Sequence, residues 1–390
     1  MKMIQRAKLL HTIRDTLKRF PAVLLSGPRQ CGKTTLAREL AKSQNAHFFD
    51  LEDPECPLLP DSASLTLKAL KGLVIIDEFQ RMPQLFELLR VLADRRPLPA
   101  RFLILGSAST ELVKGVSETL AGRVAYVPMG GFTLDEVGMT HWRALWTRGR
   151  FPDSYLSGSD EHSFTWRQHF IQSFLERDIP QLGIRIPAVT LRRFWTMLAH
   201  WHGQIWNASE LARALDTRQY TANRYLDILC GAFMIRQLPP WYENVGKRLV
   251  KAPKIYFRDT GLFHALLGLR NMEQVMAHPR LGFSWEGFAL EEILGALHAE
   301  HDAYFYKTHG GAELDLFIHR YGKRTGFEFK YQDAPRITPS MHVAIEDIKL
   351  DRLYVIYPGT QEYPLSEVIH VLPLSAVHED RVFNPPRDTG

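Results

Sequence analysis

Short, continuous apolar runs recur through the first third of the chain. Ala22-Val23-Leu24-Leu25, Leu73-Val74-Ile75-Ile76 and Phe102-Leu103-Ile104-Leu105 do not alternate with polar residues. Unbroken runs of this length mark strands covered on both faces, as in a parallel sheet. Helical spacing fills the gaps, so an α/β domain is expected over residues 1–131, opened by a basic helical lead-in. Pro128-Met129-Gly130-Gly131 punctuates its end, and residues 132–187 alternate helical patterns with Gly and Pro breaks, which predicts a small helical lid. From Leu191 the pattern tightens. Helices are predicted at 207–215 and 220–229, joined by the turn Asp216-Thr217-Arg218-Gln219, in helix-turn-helix order. A strand over 231–238, the turn Pro239-Pro240 and a basic stretch from Trp241 to Arg258 complete a predicted winged helix-turn-helix domain over residues 188–270. The last domain, residues 271–380, opens with a helix over 285–297 and continues into strands at 304–306, 312–318 and 327–330. Residues 381–390 form a loose tail.

The turn after the first apolar run carries chemistry. Gly27-Pro28-Arg29-Gln30-Cys31-Gly32-Lys33-Thr34-Thr35 is G-x-x-x-x-G-K-[ST] between a predicted strand and a helix expected over 34–43. Gly27 and Gly32 let the backbone curl so that N–H groups and the helix terminus face phosphate oxygens. Lys33 supplies charge to the β- and γ-phosphates, and Thr34 a hydroxyl to Mg²⁺. These residues predict a nucleoside triphosphate site. The second run ends in Asp77-Glu78, at the strand end where α/β sheets bind ligands. Asp77 is placed on the Mg²⁺, mostly through water, and Glu78 on the attacking water. The third run ends in Gly106-Ser107-Ala108-Ser109, where Ser107 is a candidate sensor of the γ-phosphate or the water.

The order of strand, phosphate loop, D-E strand, polar strand end and Glu118-Thr119-Leu120-Ala121-Gly122-Arg123 resembles the AAA+ ATPases. The resemblance implies ATP and Mg as cofactors and a homo-oligomer with shared ATP sites. Arg123 would then be an arginine finger reaching a neighbour's γ-phosphate; as a helix-terminal arginine it would instead only offset a dipole. G-P-R-Q-x-G-K-T-T, I-D-E-x-Q over 76–80, G-S-A-S and L-A-G-R-V are similar to one prokaryotic branch of these ATPases that ends in a nuclease-like domain of unassigned function. Arg177 in the lid is either a phosphate sensor or the partner of a nearby acid.

Beyond the ATPase, Arg218, Gln219, Thr221, Asn223 and Arg224 on the second helix of the helix-turn-helix are donors suited to phosphates or base edges. Lys247, Arg248, Lys251 and Lys254 of the basic stretch face a single acid, Glu243, and are read with Arg218 and Arg224 as a DNA-binding set. In the last domain, Glu328 and Lys330 share a strand face, and pairing of Ile318 with Phe327 brings Asp315 near it, with Glu313 turned away. Asp315 and Glu328, with Glu286 and Lys330, form a candidate second Mg site for phosphodiester attack. The pattern D…E-x-K after a helical Glu resembles the restriction-endonuclease-like, PD-(D/E)xK nucleases, as an active enzyme or as a DNA platform.

Composition changes this picture little. The 390 residues are 45% hydrophobic and 23% charged, as in globular proteins with proper cores. A net charge of +5 permits nucleic-acid binding without establishing it. The scattered Cys31, Cys56 and Cys230 show no metal spacing, and a free thiol in the phosphate loop suits a reducing cytosol. Neither a signal peptide nor a membrane span is expected. The expected function is a cytoplasmic AAA+ ATPase that binds DNA, with branched (Holliday) junctions among the candidate targets, and couples Mg-ATP hydrolysis to its remodelling or translocation. The alternatives are an ATP-dependent regulatory switch with a protein partner and an ATP-gated nuclease.

Overall fold

The structure is a computed structural model of the chain, described here for residues 4–42, 45–107, 120–242 and 249–383, with the Ser107 side chain excepted. It divides into two compact units, Met1–Phe132 with Gly231–Phe233, and Thr133–Cys230 with Met234–Gly390. Each is described by itself.

The first unit is built on five parallel strands: β1 (Ala22–Gly27), β2 (Ala46–Asp50), β3 (Gly72–Asp77), β4 (Ala100–Ser107) and β5 (Val124–Pro128), in the order β2-β3-β4-β1-β5. The continuous apolar runs are explained by cover on both sides. Leu24, Val74, Ile76, Phe102 and Ile104 pack on one face with Phe79, Leu85 and Leu89, while Val23, Leu25, Ile75, Leu103 and Leu105 pack on the other. Leu10, Ile13 and Leu17 of the helix Ala7–Arg19 belong to that second face, at helical spacing, so the basic lead-in buries an apolar stripe. Because every strand runs the same way, Gly27, Asp50, Asp77 and Ser107 end on one edge of the sheet.

The second unit opens with helices Trp142–Arg148, Asp160–Ser173 and Ala188–Trp201. Two shorter helices, Ala208–Ala214 and Gln219–Gly231, lie in the chain between the first and second strands of a three-stranded antiparallel sheet of β6 (Gln204–Ile205), β7 (Ile235–Leu238) and β8 (Lys254–Phe257), in the order β6-β8-β7. The strand expected from Gly231 starts only at Ile235, because the helix runs through Gly231 and Phe233 takes a left-handed φ of 62°.

Six further strands form a mixed sheet: β9 (Ala303–Lys307), β10 (Glu313–Arg320), β11 (Lys323–Phe329), β12 (Arg352–Tyr357), β13 (Tyr363–Pro364) and β14 (Ile369–Pro373). Their order is β13-β14-β12-β11-β10-β9. In the hairpin of β10 and β11, Leu316 rather than Ile318 lies opposite Phe327. The shift of two residues preserves the faces and sets Asp315 across from Glu328. The helix Leu281–Ala296 is buried nearly all round and still holds Glu286, Glu291 and Glu292. Buried carboxylates persist only when paired. Glu291 meets Arg236 and Arg258, and Glu292 meets Arg150 at 2.7 Å. Burial alone would raise the Glu291 carboxyl, but the two arginines draw it down to about 2. Among the described residues, no helix is long and apolar enough to cross a membrane.

Candidate nucleotide-binding site

The phosphate loop joins β1 to the helix Lys33–Ala41, one residue earlier than expected. Gly32 caps that helix with φ 96°, a left-handed conformation that glycine adopts without Cβ strain. A Cβ on Gly27 would lie 2.0 Å from the Met129 carbonyl oxygen, so the loop can leave β1 only through glycine. Arg29 and Gln30 form the outer turn of the loop, Gln30 with φ 61°. Cys31 is a free, buried thiol, 3.6 Å from the Met129 carbonyl. Pro28 and Thr35 complete the stretch on either side.

Lys33 is buried, and its ammonium donates to the carbonyls of Gly27 at 3.0 Å and Pro28 at 2.7 Å. These neutral acceptors hold the charge inside the loop that a polyphosphate would enter. The Thr34 hydroxyl donates to Asp77 Oδ2 at 2.6 Å, and the Glu78 N–H donates to Asp77 Oδ1 at 2.9 Å. The donor set fits Mg-ATP. Lys33 would neutralise phosphate oxygens, and Thr34 with Asp77 would hold the magnesium that the nucleotide brings. Burial raises both the Asp77 and the Glu78 carboxyls above their ordinary values. Glu78 takes φ 50° at the end of β3 and is gripped by two side chains: the Gln80 amide donates to its Oε2, and the Arg29 guanidinium lies 3.8 Å away. Gln80 drew no attention from the sequence beyond its place in I-D-E-x-Q.

The backbone of Ser107 pairs in register with Gly27, while its side chain lies outside the described residues. Arg123 immediately precedes β5, and its carbonyl accepts from the Ala22 N–H. It therefore sits at the start of β1, a strand length of roughly 17 Å from Gly27 at ordinary rise. Its guanidinium forms a forked pair with Asp94, at 2.7 and 2.8 Å. Arg177 pairs with the neighbouring Asp178 at 3.1 Å.

The second expected Mg site takes a different form. Among the described residues, no group of three or more metal-ligating side chains is arranged to hold an ion. A lysine stands in the middle of the carboxylates instead. Lys254, expected among exposed DNA-contacting cations, is buried with its ammonium 3.1 Å from Glu286, 2.5 Å from Glu313 and 3.6 Å from Asp315. Glu313 was expected on the opposite strand face; it turns instead to Lys254 and Lys307. Lys330 pairs with Glu328 at 2.7 Å, the Phe329 N–H donates to Asp315, and the Tyr256 hydroxyl donates to Glu286 at 2.5 Å. Burial, opposed by Lys254, leaves the Glu286 carboxyl near 7, and burial with the Asp315 charge pushes Glu328 up to about 8. The ammonium of Lys254 is held well above its ordinary value, since its carboxylate neighbours overcome the cost of burial. A lysine inside an apolar strand run, facing a helix with three glutamates, was the available signal.

Of the remaining DNA candidates, Arg218, Arg224 and Lys251 are exposed. Gln219 donates to Ser209, and Asn223 accepts from the Trp206 indole at 2.8 Å. Lys247 and Arg248 lie outside the described residues.

Residues 19–138 match the family described as AAA domain, residues 139–273 a domain of unknown function (DUF8612), and residues 281–377 a domain of unknown function (DUF4143). The Walker-type ATPase PABY2304 of Pyrococcus abyssi has a similar fold, with a TM-score of 0.50 over 68% of this chain and 96% of that one, at 14% identity. Uncharacterized protein Rv2008c of Mycobacterium tuberculosis and uncharacterized protein Mb2031c of Mycobacterium bovis are each 49% identical over 375 residues, covering 96% of this chain and 85% of theirs. With its phosphate loop and Asp77-Glu78 on the central parallel sheet, the chain belongs to the family of these mycobacterial proteins, a family of AAA-type P-loop NTPases.

Proposed function

We propose that the chain hydrolyses Mg-ATP and uses the cycle to act on DNA. The observation that carries the first half is the convergence of Lys33, Thr34, Asp77 and Glu78 on one edge of the sheet. Glu78, buried beside the loop, would accept the proton of a water aligned with the γ-phosphate. Arg123 points away from its own loop, so in this reading it completes the site of a second copy. The free thiol of Cys31 suits a reducing, cytosolic setting.

The DNA half rests on the second unit. Helix Ala188–Trp201, strand β6, helices Ala208–Ala214 and Gln219–Gly231, and then β7 and β8 follow one another in the order of a winged helix, and Arg218 and Arg224 are exposed on or beside the helix Gln219–Gly231. The helix Leu281–Ala296 and strands β9 to β12 have the order of a nuclease-like core. Cutting is not part of the proposal, because Lys254 fills the carboxylate cluster.

The test is ATPase rate and binding measured across single-stranded, duplex, forked and four-way DNA. Stimulation by one of these supports the reading and identifies the preferred structure. ATP turnover indifferent to all four, with no DNA affinity at low salt, favours a regulatory switch with a protein partner.

A further inference from the structure

We propose that Gln80 is a catalytic residue of the ATP site: its amide N–H holds Glu78, and its amide oxygen receives one hydrogen of the attacking water. The proposal rests on the reading that this site hydrolyses Mg-ATP, and it assigns half of the grip on the nucleophile.

The orientation of the carboxamide follows from chemistry. An ionised carboxylate only accepts hydrogen bonds, so the atom that meets Glu78 Oε2 must be the Gln80 nitrogen. The Gln80 oxygen is thereby turned the other way. That oxygen is buried, and among the described residues no donor meets it. Buried acceptors are normally satisfied, and one that is not invites a donor that arrives only with the substrate.

The turn is anchored in the core just before Gln80. Phe79 is fully buried with its ring 4.7 Å from that of Phe86, and Arg81 pairs with Glu52 at 2.6 Å. From the buried Phe79, the three-residue 3₁₀ turn Phe79–Arg81 carries Gln80 to Glu78, and the φ of 50° at Glu78 turns the chain sharply out of β3. Arg29 approaches the same Glu78 oxygen from the phosphate loop. Glu78 is thus held between the loop that binds the nucleotide and the residue proposed to share its water.

The step balances simply. The water donates one hydrogen bond to Glu78 and the other to Gln80 Oε1, leaving a lone pair for the γ-phosphorus. The water oxygen bonds to that phosphorus, and the bond to the β,γ-bridging oxygen breaks with its electron pair left on ADP. The water's proton passes to the Glu78 carboxylate. Gln80 is unchanged throughout, and acts by fixing the angle of attack.

Gln80→Met keeps the length and packing of the side chain while removing both hydrogen bonds; Gln80→Ala removes the side chain. Each variant is measured for binding of a non-hydrolysable ATP analogue, for kcat and KM, and for affinity toward ADP–aluminium fluoride, which mimics the transition state. Both should bind the ATP analogue as the wild-type chain does, lose kcat by about 100-fold, and lose ADP–aluminium fluoride affinity by a similar factor. Retained kcat in Gln80→Met overturns the proposal, as does an equal loss of analogue and transition-state affinity in both variants, which marks a structural role. Absence of turnover in the wild-type chain on every DNA overturns the ATPase reading itself, and the proposal with it.

Discussion

Two neighbouring acids, Asp77 and Glu78, have the same covalent chemistry within reach and different partners. Asp77 accepts from the Thr34 hydroxyl on Oδ2 and from the Glu78 N–H on Oδ1, so one oxygen is tied to the phosphate loop and the other to the end of β3. Glu78 is held by Gln80 and Arg29, and in the proposed reading it takes the proton of the attacking water. Removing one group therefore separates binding from turnover. Lys33→Ala should lower nucleotide affinity at least tenfold, because it deletes the buried charge that would meet the phosphates. Glu78→Gln keeps the shape of the site and should bind ATP normally while losing turnover by on the order of 10²-fold or more. Isothermal titration with an ATP analogue, beside phosphate release, checks both. Glu78→Gln hydrolysing at the wild-type rate would reverse the assignment of the two acids.

Elements were legible in the sequence where a single pattern dictated them. The apolar runs of β1, β3 and β4 are covered on both faces, so nothing in them competes with the strand assignment. Glycines at Gly27 and Gly32 are required by a carbonyl contact and by a left-handed φ, and a sequence shows such needs directly. What stayed hidden depends on partners far apart in the chain. Lys254 lies in a four-residue strand that reads as a basic wing, and only the helix Leu281–Ala296 and strand β10 supply its carboxylates. Lys254→Met should therefore leave Glu286 and Glu313 without their ammonium and destabilise the second unit by roughly 3–5 kcal/mol. Adding Glu286→Gln should return part of that loss, as denaturant melting can show. The same cluster fixes a pH dependence. Folding pushes Glu328 up to about 8, above its ordinary carboxyl range, so the protonated form is favoured in the folded chain. Its contribution is complete below the unfolded value and is lost as pH rises through 8. Stability should fall as pH rises from the ordinary carboxyl value of 4.5 to about 8 and level off above it, and Glu328→Gln should flatten that fall.

For the whole molecule, the question is whether one chain contains a complete ATP site. If Arg123 serves an ATP site, as proposed, the sheet requires that the site belong to another copy. Lys33, Thr34, Asp77 and Glu78 gather where the parallel strands end, whereas Arg123 stands where β1 and β5 begin. No side-chain rotation carries an arginine along the length of a strand to its own loop. Its forked pair with Asp94 is solvent-exposed, and exposed pairs are weak enough to exchange for a phosphate on a neighbouring copy. Arg123→Ala should then bind ATP normally and hydrolyse it on the order of 10³-fold more slowly, the scale of an arginine supplied from outside the site. Mixing it with Glu78→Gln makes the distinction between a shared site and a remote structural effect. Each variant alone lacks one group at every interface. In mixed assemblies, an Arg123→Ala chain contributes an intact Glu78, and a Glu78→Gln chain beside it contributes an intact Arg123. Phosphate release should rise above that of either variant when the two are combined, and the gain should disappear on dilution below the assembly concentration. Additive rates at every mixing ratio, or full activity of a monomeric Arg123→Ala chain, would leave each site to a single copy.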